Sequence, residues 1–218
     1  LNASSTYVNT VTVNTNTVYV PVVLNRSASR IFYSNRTITA VAKADGVSGP
    51  DFKIRLLDKN GKAIVGRTVC IGFNSQIQYM TTDSNGYITI ELNIYSSGTF
   101  MLAMAFLGDD NYTGAFEVAK IVVNKQTPKI VASKKTFKAK AKTKKITATF
   151  KTAKGKPVSG KRISLVVKGK TYTATTNSKG VATVKISLTR KGTYTCVSKY
   201  AGDSTFKATS TKFIVKLT

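Results

Sequence analysis

An internal repeat constrains this chain more than any other feature of its sequence. When the sequence is set against itself with a shift of 94 positions, five glycines fall in register without a gap. Gly61, Gly66, Gly86, Gly98 and Gly108 coincide with Gly155, Gly160, Gly180, Gly192 and Gly202. Glycine at matched positions marks backbone conformations that other residues avoid, so the two copies are expected to share their turns. The chain should therefore contain one fold twice.

Each copy has the pattern of a series of short β-strands. In the second copy, apolar and polar residues alternate in the segments 146–151, 161–167, 172–176, 181–188, 193–200 and 212–217. The alternation predicts that Ile146, Ala148 and Phe150 face a core, and the first copy has an equivalent inward row of Phe100, Leu102, Met104 and Phe106. About seven such strands, separated by polar or glycine turns, are typical of a Greek-key sandwich. We predict an all-β protein of two tandem Greek-key β-sandwiches, with little or no helix.

The repeat also predicts the domain boundaries. We expect a first domain at 28–126 and a second, Lys-rich domain at 127–218, joined by a short linker around Asn124–Pro128. Residues 1–27 are strand-prone but too short to bury a core alone. They are expected to be either the last strand of a preceding module or an extra strand on the first copy. Because the chain starts at Leu1, we expect a fragment of a longer protein, built of monomeric modules, with any signal or anchor elsewhere.

Several motifs of the second copy point to a known kind of repeat. They are Thr127-Pro128, GKPVSG at 155–160, NSKGVATV at 177–184, KGTY at 191–194 and KYAGDSTF at 199–206. Together they resemble the bacterial-type Ig-like repeats of large adhesin-like proteins of methanogenic archaea and, more distantly, those of invasin- and intimin-type adhesins. The resemblance covers nearly all of 127–218 and, more loosely, 52–123. It implies an immunoglobulin-like sandwich, an extracellular, cell-surface or cell-wall location and a role in attachment or as a spacer, without catalytic residues.

The residue types that catalysis needs are scarce. The chain has no histidine, which excludes Ser-His-Asp and Cys-His catalysis. Residues 127–218 contain a single acid, Asp203, so paired-carboxylate chemistry could be built only from the first copy. We predict a protein that is not an enzyme and that uses no cofactor or metal. Cys70 and Cys196 fall in different copies, so an intra-domain disulfide is impossible, and both are expected to be small buried side chains.

The net charge of +25 is concentrated in the second copy. Residues 1–126 have eleven basic and eight acidic residues, whereas residues 127–218 have twenty-three basic residues and one acid. A field of that size attracts polyanions at ordinary salt. The densest run supplies the candidate contact residues Lys134, Lys135, Lys138, Lys140, Lys142, Lys144 and Lys145.

Three interpretations of this charge stay open. The lysines could form a solvated surface that keeps the protein soluble. They could contact an anionic cell wall, surface polysaccharide or lipid headgroups, of the same cell or of another. They could also bind nucleic acid, which the sequence disfavours because lysine dominates over arginine. A shallow groove lined by exposed tyrosine with Asn or Asp would instead indicate a specific carbohydrate- or protein-binding module.

Three further kinds of site are candidates in the first half of the chain. Asn2, Asn25, Asn35 and Asn111 lie in Asn-X-Ser/Thr sequons and are candidate glycosylation sites. The turns at 83–86 and 109–111 are rich in oxygen ligands for calcium. Lysine occupies the turn equivalent to 83–86 in the second copy, at Lys179, which favours plain Asx turns. A Lys–Asn crosslink would need a buried acid. Glu91 and Glu117 lie on strand-like segments and are the candidates, but both are expected to be surface strand residues.

Overall fold

The computed structural model describes residues 4–13 and 16–218, with side chains from Leu24 onward. Apart from one short 3₁₀ helix at Lys43–Asp45, the regular structure of these residues is all β, which confirms the predicted fold class. None of the described residues belongs to a helix long and apolar enough to cross a membrane.

The strands follow the repeat. In the first copy they are β3 (Ser29–Phe32), β4 (Arg36–Thr39), β5 (Asp51–Asp58), β6 (Thr68–Phe73), β7 (Gln76–Thr81), β8 (Tyr87–Glu91), β9 (Gly98–Phe106) and β10 (Ala115–Asn124). In the second they are β11 (Lys129–Val131), β12 (Lys135–Phe137), β13 (Lys144–Lys151), β14 (Arg162–Val167), β15 (Lys170–Thr175), β16 (Val181–Ile186), β17 (Gly192–Tyr200) and β18 (Thr209–Leu217). The sequence did not predict β11 and β12, because lysines and small residues dilute the alternation there.

Both copies have the same sheet topology. The first has a three-stranded sheet of order β3-β5-β8 and a five-stranded sheet of order β4-β10-β9-β6-β7. The second repeats them as β11-β13-β16 and β12-β18-β17-β14-β15. One topology therefore occurs twice, as the matched glycines predict.

Residues before the first copy form a hairpin. β1 (Ser4–Val13) and β2 (Asn16–Asn25) pair antiparallel in a two-stranded sheet of their own. The sequence suggested one strand here, and the structure has two. Two separate runs of valine alternating with polar residues explain the pair, because each run suits one strand.

The core of the second copy lies between its two sheets. Ile146, Ala148 and Phe150 of β13 are at most 1% exposed, as the alternation predicts. Phe150 packs against the rings of Tyr200, at 4.5 Å between centroids, and Phe206, at 5.4 Å in an edge-to-face arrangement. Edge-to-face packing places the positive edge of one ring against the negative face of another, which adds to the stabilisation from burial.

The predicted inward row of the first copy is also confirmed for most members. Leu102, Met104 and Phe106 are buried, while Phe100 is half-buried. Of the two cysteines, both unpaired, Cys196 is fully buried as expected, but Cys70 is only half-buried. Cys70 lies on the outward side of β6, since its neighbours Val69 and Ile71 point into the core.

Glycine at one matched pair of turns is required by close packing. Gly86 and Gly180 have φ values of 79° and 71°, in the left-handed region that favours glycine. A Cβ at Gly86 would lie 2.8 Å from the Leu56 carbonyl oxygen, and one at Gly180 would lie 2.6 Å from the Phe150 carbonyl oxygen. Any side chain would displace β5 or β13, so both copies retain glycine at this turn.

The described chain divides into two compact units. The first consists of Leu1–Thr37, Pro50–Leu92 and Thr99–Val122, and the second of Ile38–Gly49, Asn93–Gly98 and Val123–Thr218. Two short segments of the first copy thus belong to the second unit. The domain boundaries at 28–126 and 127–218 stay a prediction from the repeat.

One of these segments brings a buried carboxylate into the second unit. Asp45 is 7% exposed, and the sequence did not single it out as buried. Its Oδ1 accepts a hydrogen bond from Thr152 Oγ1 at 2.5 Å, and its Oδ2 accepts one from Gln126 Nε2 at 3.2 Å. Gln126 Oε1 in turn accepts from the Ala153 N–H at 3.0 Å. These bonds compensate Asp45 for its lost hydration.

Candidate functional site

The lysine run lies near the start of the second copy. It begins at the residue before β12, continues through β12 and the connection that follows, and ends in the first residues of β13. Lys134, Lys135, Lys138, Lys140, Lys142 and Lys145 are exposed. Lys144 is different: it is only 4% exposed, and its Nζ donates a hydrogen bond to the Ala141 carbonyl oxygen at 2.6 Å. Lys144 is therefore less accessible than the other six lysines of the run, and its role as a contact residue stays a prediction. Alternation along β13 turns Lys144 inward together with Ile146.

Part of the run lines a concave site of about 680 Å³. Lys140, Lys142 and Lys144 come from the run, and β15 and β16 add Lys170 and Lys185. We call these five residues the lysine pocket. The sequence did not predict the contributions of β15 and β16, because they lie about 30 to 40 positions further along the chain. Lys134, Lys135, Lys138 and Lys145 are outside the pocket.

Tyr172 lies among these cations and orders one side of the pocket. The Lys170 Nζ lies over the Tyr172 ring, 5.3 Å from its centroid, a distance at which the ring face attracts a cation. The hydroxyls of Tyr172 and Ser187 are 3.2 Å apart and hydrogen bonded. The site therefore combines ammonium groups with hydroxyl groups that can both donate and accept. Such a lining suits an anionic group attached to a hydroxylated molecule.

The second copy offers these lysines no acidic partner of its own. Its only acid is Asp203, whose Oδ2 forms an ion pair with the Lys161 Nζ. Lys161 also lies over the Phe206 ring, at 5.2 Å from the centroid. The charge of the lysine pocket is thus uncompensated within 127–218, which raises the local concentration of anions from solution.

Asp203 organises the turn after β17 as well as pairing with Lys161. Its Oδ1 accepts the backbone N–H groups of Thr205 and Phe206, both at 2.8 Å. Partial burial by itself would raise the pKa of Asp203. The hydrogen bonds that its carboxylate accepts from Lys161 and from the two backbone N–H groups outweigh burial and hold the pKa well below its ordinary value.

We expect Asp203→Asn to remove a pH-dependent part of the stability of the second unit. Because the pKa of Asp203 is lower in the folded than in the unfolded chain, its contribution is present above about pH 4. This contribution is lost as the pH falls from about 4 toward the pKa of Asp203 in the folded chain. Urea unfolding followed by circular dichroism, from neutral pH down to about pH 2, should show a smaller acid-induced loss of stability in the variant.

Asp110→Asn is the matched control, because it removes the same charge from an exposed turn of the first copy. That variant should keep the native pH dependence. If Asp203→Asn also kept it unchanged, the Lys161 pair would contribute nothing to acid stability.

The structure describes three of the four asparagines in the predicted sequons. Asn25, Asn35 and Asn111 are exposed, whereas Asn2 lies outside the described residues. The Asn35 Oδ1 accepts the Lys120 N–H at 2.8 Å. Glycosylation of these residues stays a prediction.

The candidate calcium turns have the geometry of Asx turns. Asp83 Oδ1 accepts the N–H groups of Asn85 and Tyr87, both at 2.8 Å, and Asp109 Oδ1 accepts those of Asn111 and Tyr112. Asp109 also pairs with Arg67, as Asp203 does with Lys161 in the second copy. No group of three or more Asp, Glu, Cys or His side chains suited to a metal occurs in the part of the chain that is described.

The two acids considered for a crosslink are surface residues, as expected. Glu91 and Glu117 are both exposed, whereas the crosslink chemistry needs a carboxylic acid shielded from water. In the part of the chain whose side chains are described, the buried carboxylate is instead that of Asp45, and its side-chain partners are a glutamine and a threonine.

The chain is similar to known proteins in its fold, but no match is found at the level of sequence families. No family model and no curated protein matches the sequence. Among solved structures, invasin, a bacterial integrin-binding protein, matches with a TM-score of 0.50 and 18% identity over 87% of this chain and 38% of that chain. A tetra-tandem repeat from the extending region of a large adhesion protein matches with a TM-score of 0.47 and 15% identity, over 100% of this chain and 57% of that one.

At such identities the likeness to invasin shows the fold alone, and the chain spans well under half of the invasin chain. The archaeal origin that the motifs implied is not supported by these neighbours. The two sheets of each copy, their repeated topology and the likeness to invasin together show that this chain has an all-β, immunoglobulin-like fold, present in tandem.

Proposed function

We propose that this chain is a non-catalytic, adhesin-like module of a cell-surface protein, and that its second copy contacts anionic surface polymers. The observation that carries the proposal is the lysine pocket, together with the exposed lysines beside it, in a copy that has one acid. The location at a cell surface rests on the motifs of the second copy, and invasin, whose fold this chain resembles, is a bacterial integrin-binding protein.

The charge distribution favours a polymer over a small ligand. Lys134, Lys135 and Lys138 are exposed outside the pocket, so cations extend beyond the volume that a single small anion fills. A polymer that bears repeated carboxylate, phosphate or sulfate groups can engage the pocket and these lysines at once. Each additional contact releases counterions, which makes the affinity fall steeply as salt rises.

Lysine content favours anionic polysaccharide over sequence-specific nucleic-acid recognition. Lysine presents a point charge, whereas base and phosphate recognition often uses the planar fork of arginine. Residues 127–218 contain only two arginines, Arg162 and Arg190, and neither lines the pocket. Function would then come from surface contact and reach rather than from bond-making chemistry.

The test is binding of the full chain to polygalacturonate, dextran sulfate and double-stranded DNA, at salt concentrations from about 50 to about 500 mM. The triple variant Lys140→Gln, Lys170→Gln, Lys185→Gln should bind the polysaccharides about tenfold more weakly at the lowest salt, with a shallower dependence of log K on log salt.

The matched control is the triple variant Lys59→Gln, Lys62→Gln, Lys120→Gln, which removes the same charge from exposed positions of the first copy. It should lower the affinity by less than about threefold. Equal losses of affinity in the two variants would show that binding depends on the net charge of the chain and not on the lysine pocket. Much tighter binding to DNA than to either polysaccharide at the same salt would favour the nucleic-acid interpretation.

A further inference from the structure

A second surface, on the first unit, has a different chemistry. On the outward side of the sheet β3-β5-β8, Phe32, Arg55 and Tyr87 lie next to one another across the three strands. Phe32 is the cross-strand partner of Arg55, and Arg55 is the partner of Tyr87. The inward side of β5 carries Phe52 and Ile54, each 1% exposed, so alternation places Arg55 on the outward side. We call Phe32, Arg55 and Tyr87 the aromatic row.

The aromatic row is held in place by a hydrogen bond and is partly open to solvent. The Arg55 guanidinium carbon lies 4.8 Å from the centroid of the Tyr87 ring, and the Arg55 Nε donates to the Asn85 carbonyl oxygen at 3.0 Å. Phe32 is 49% exposed and Tyr87 is 37% exposed. The hydrogen bond restrains the guanidinium over the Tyr87 ring, so the arginine and the two aromatic rings are held in place before a ligand binds.

The row forms part of a groove of about 580 Å³. Asp51, Lys53 and Arg36 line its polar parts and are exposed, while Tyr33 and Ser34 complete one side. A carboxylate acceptor and several cationic donors therefore lie within one groove alongside the aromatic faces. The volume falls in the range of sites for small molecules, about 300–1,000 Å³.

The second copy provides an internal comparison. At the same register positions it has Val131, Thr149 and Val181, which pair across β11, β13 and β16. Both copies form the same three-stranded sheet, so the fold does not need two aromatic rings and a guanidinium at these positions. Exposed aromatic side chains that the fold does not need are more readily explained by a ligand.

We propose that the aromatic row and its groove bind a pyranose sugar unit of a surface glycan. The apolar C–H face of a pyranose ring packs on the exposed Phe32 ring and on the part of the Tyr87 ring that Arg55 leaves open. Its hydroxyl groups donate to the Asp51 carboxylate and accept from the Lys53 ammonium and the Arg36 guanidinium. The aromatic row thus matches the apolar face of the sugar, and its polar neighbours match the hydroxyl groups around the edge of the sugar ring. The proposal does not depend on the lysine pocket, which belongs to the second unit.

The test is titration calorimetry of the full chain with cellohexaose, chitohexaose, mannohexaose and oligogalacturonate. At least one of the four should bind. The triple variant Phe32→Val, Arg55→Thr, Tyr87→Val introduces the residues of the second copy, so it should fold, which circular dichroism and its Tm check. It should weaken that binding at least tenfold. Tyr87→Phe keeps the ring and should stay within about threefold of the native affinity.

The neutral probes separate this site from the lysine pocket. The variant Lys140→Gln, Lys170→Gln, Lys185→Gln should bind a neutral oligosaccharide as the native chain does. Binding of oligogalacturonate alone, lost in that lysine variant and kept in the row variant, would overturn the proposal. So would a folded row variant with native affinity, or no binding of any of the four probes. Capture of a protein ligand that depends on the row, without sugar binding, would assign the surface to a protein partner instead.

Discussion

Replacing Phe150 by alanine is expected to lower the free energy of unfolding of the second unit by about 3–5 kcal/mol. Phe150 is fully buried, and its ring contacts those of Tyr200 and Phe206. Its removal loses the transfer free energy of the ring, leaves a cavity and removes two aromatic contacts. A loss of this size is a large fraction of the stability of a typical domain.

Urea unfolding should be monitored by hydrogen exchange with peptide-resolved mass spectrometry, because this method assigns the loss of stability to peptides of β13 to β18. Phe116→Ala is the control, since the same ring is 65% exposed on β10 of the first copy. It should change stability by less than about 0.5 kcal/mol. A loss below about 1 kcal/mol in Phe150→Ala would mean that the two sheets repack around the missing ring.

The second large effect is expected from Asp45→Ala. This substitution removes the acceptor for the Thr152 hydroxyl and the Gln126 amide, which are both in buried residues. Each buried donor left without an acceptor costs about 1–3 kcal/mol. We therefore expect the second unit to lose roughly 2–4 kcal/mol, measured by urea unfolding at neutral pH with the same hydrogen-exchange readout.

Asp45→Asn separates hydrogen bonding from side-chain volume. The new amide can still accept from Thr152, but its nitrogen would face the Gln126 Nε2, and two donors cannot bond to each other. Flipping Gln126 would repair that contact and break its bond from the Ala153 N–H. The free energy of unfolding of Asp45→Asn should therefore lie between that of the native chain and that of Asp45→Ala. The exposed control Asp110→Ala should be near neutral, and an equal loss there would show that the effect comes from charge alone.

Much of the fold could be predicted from the sequence, because local signals carry it. The matched glycines locate turns that need positive φ, and the alternation in β13, β14 and β17 identifies the inward residues. Both patterns extend over only a few residues, so each can be recognised without knowing which strands pair. The same reasoning failed for β11 and β12, whose short strands have little alternation and depend on pairing with β13 and β18.

The candidate sites were predictable only in part. The lysine run was evident in the sequence, but the burial of Lys144 depends on which side of β13 it occupies. The contributions of Lys170 and Lys185 depend on the neighbouring strands β15 and β16. The aromatic row was missed, since Phe32, Arg55 and Tyr87 are far apart in sequence and share no motif.

Sequence by itself determined the tandem repeat, the all-β class, the shared turns and the uneven charge, since composition, glycine positions and alternation are local properties of the chain. Tertiary structure decided which side chains meet: the Asp45–Gln126 contact, the lysine pocket and the aromatic row each join residues from separate segments. Strand register is the physical reason, because a shift by one residue turns every side chain of a strand to the opposite face.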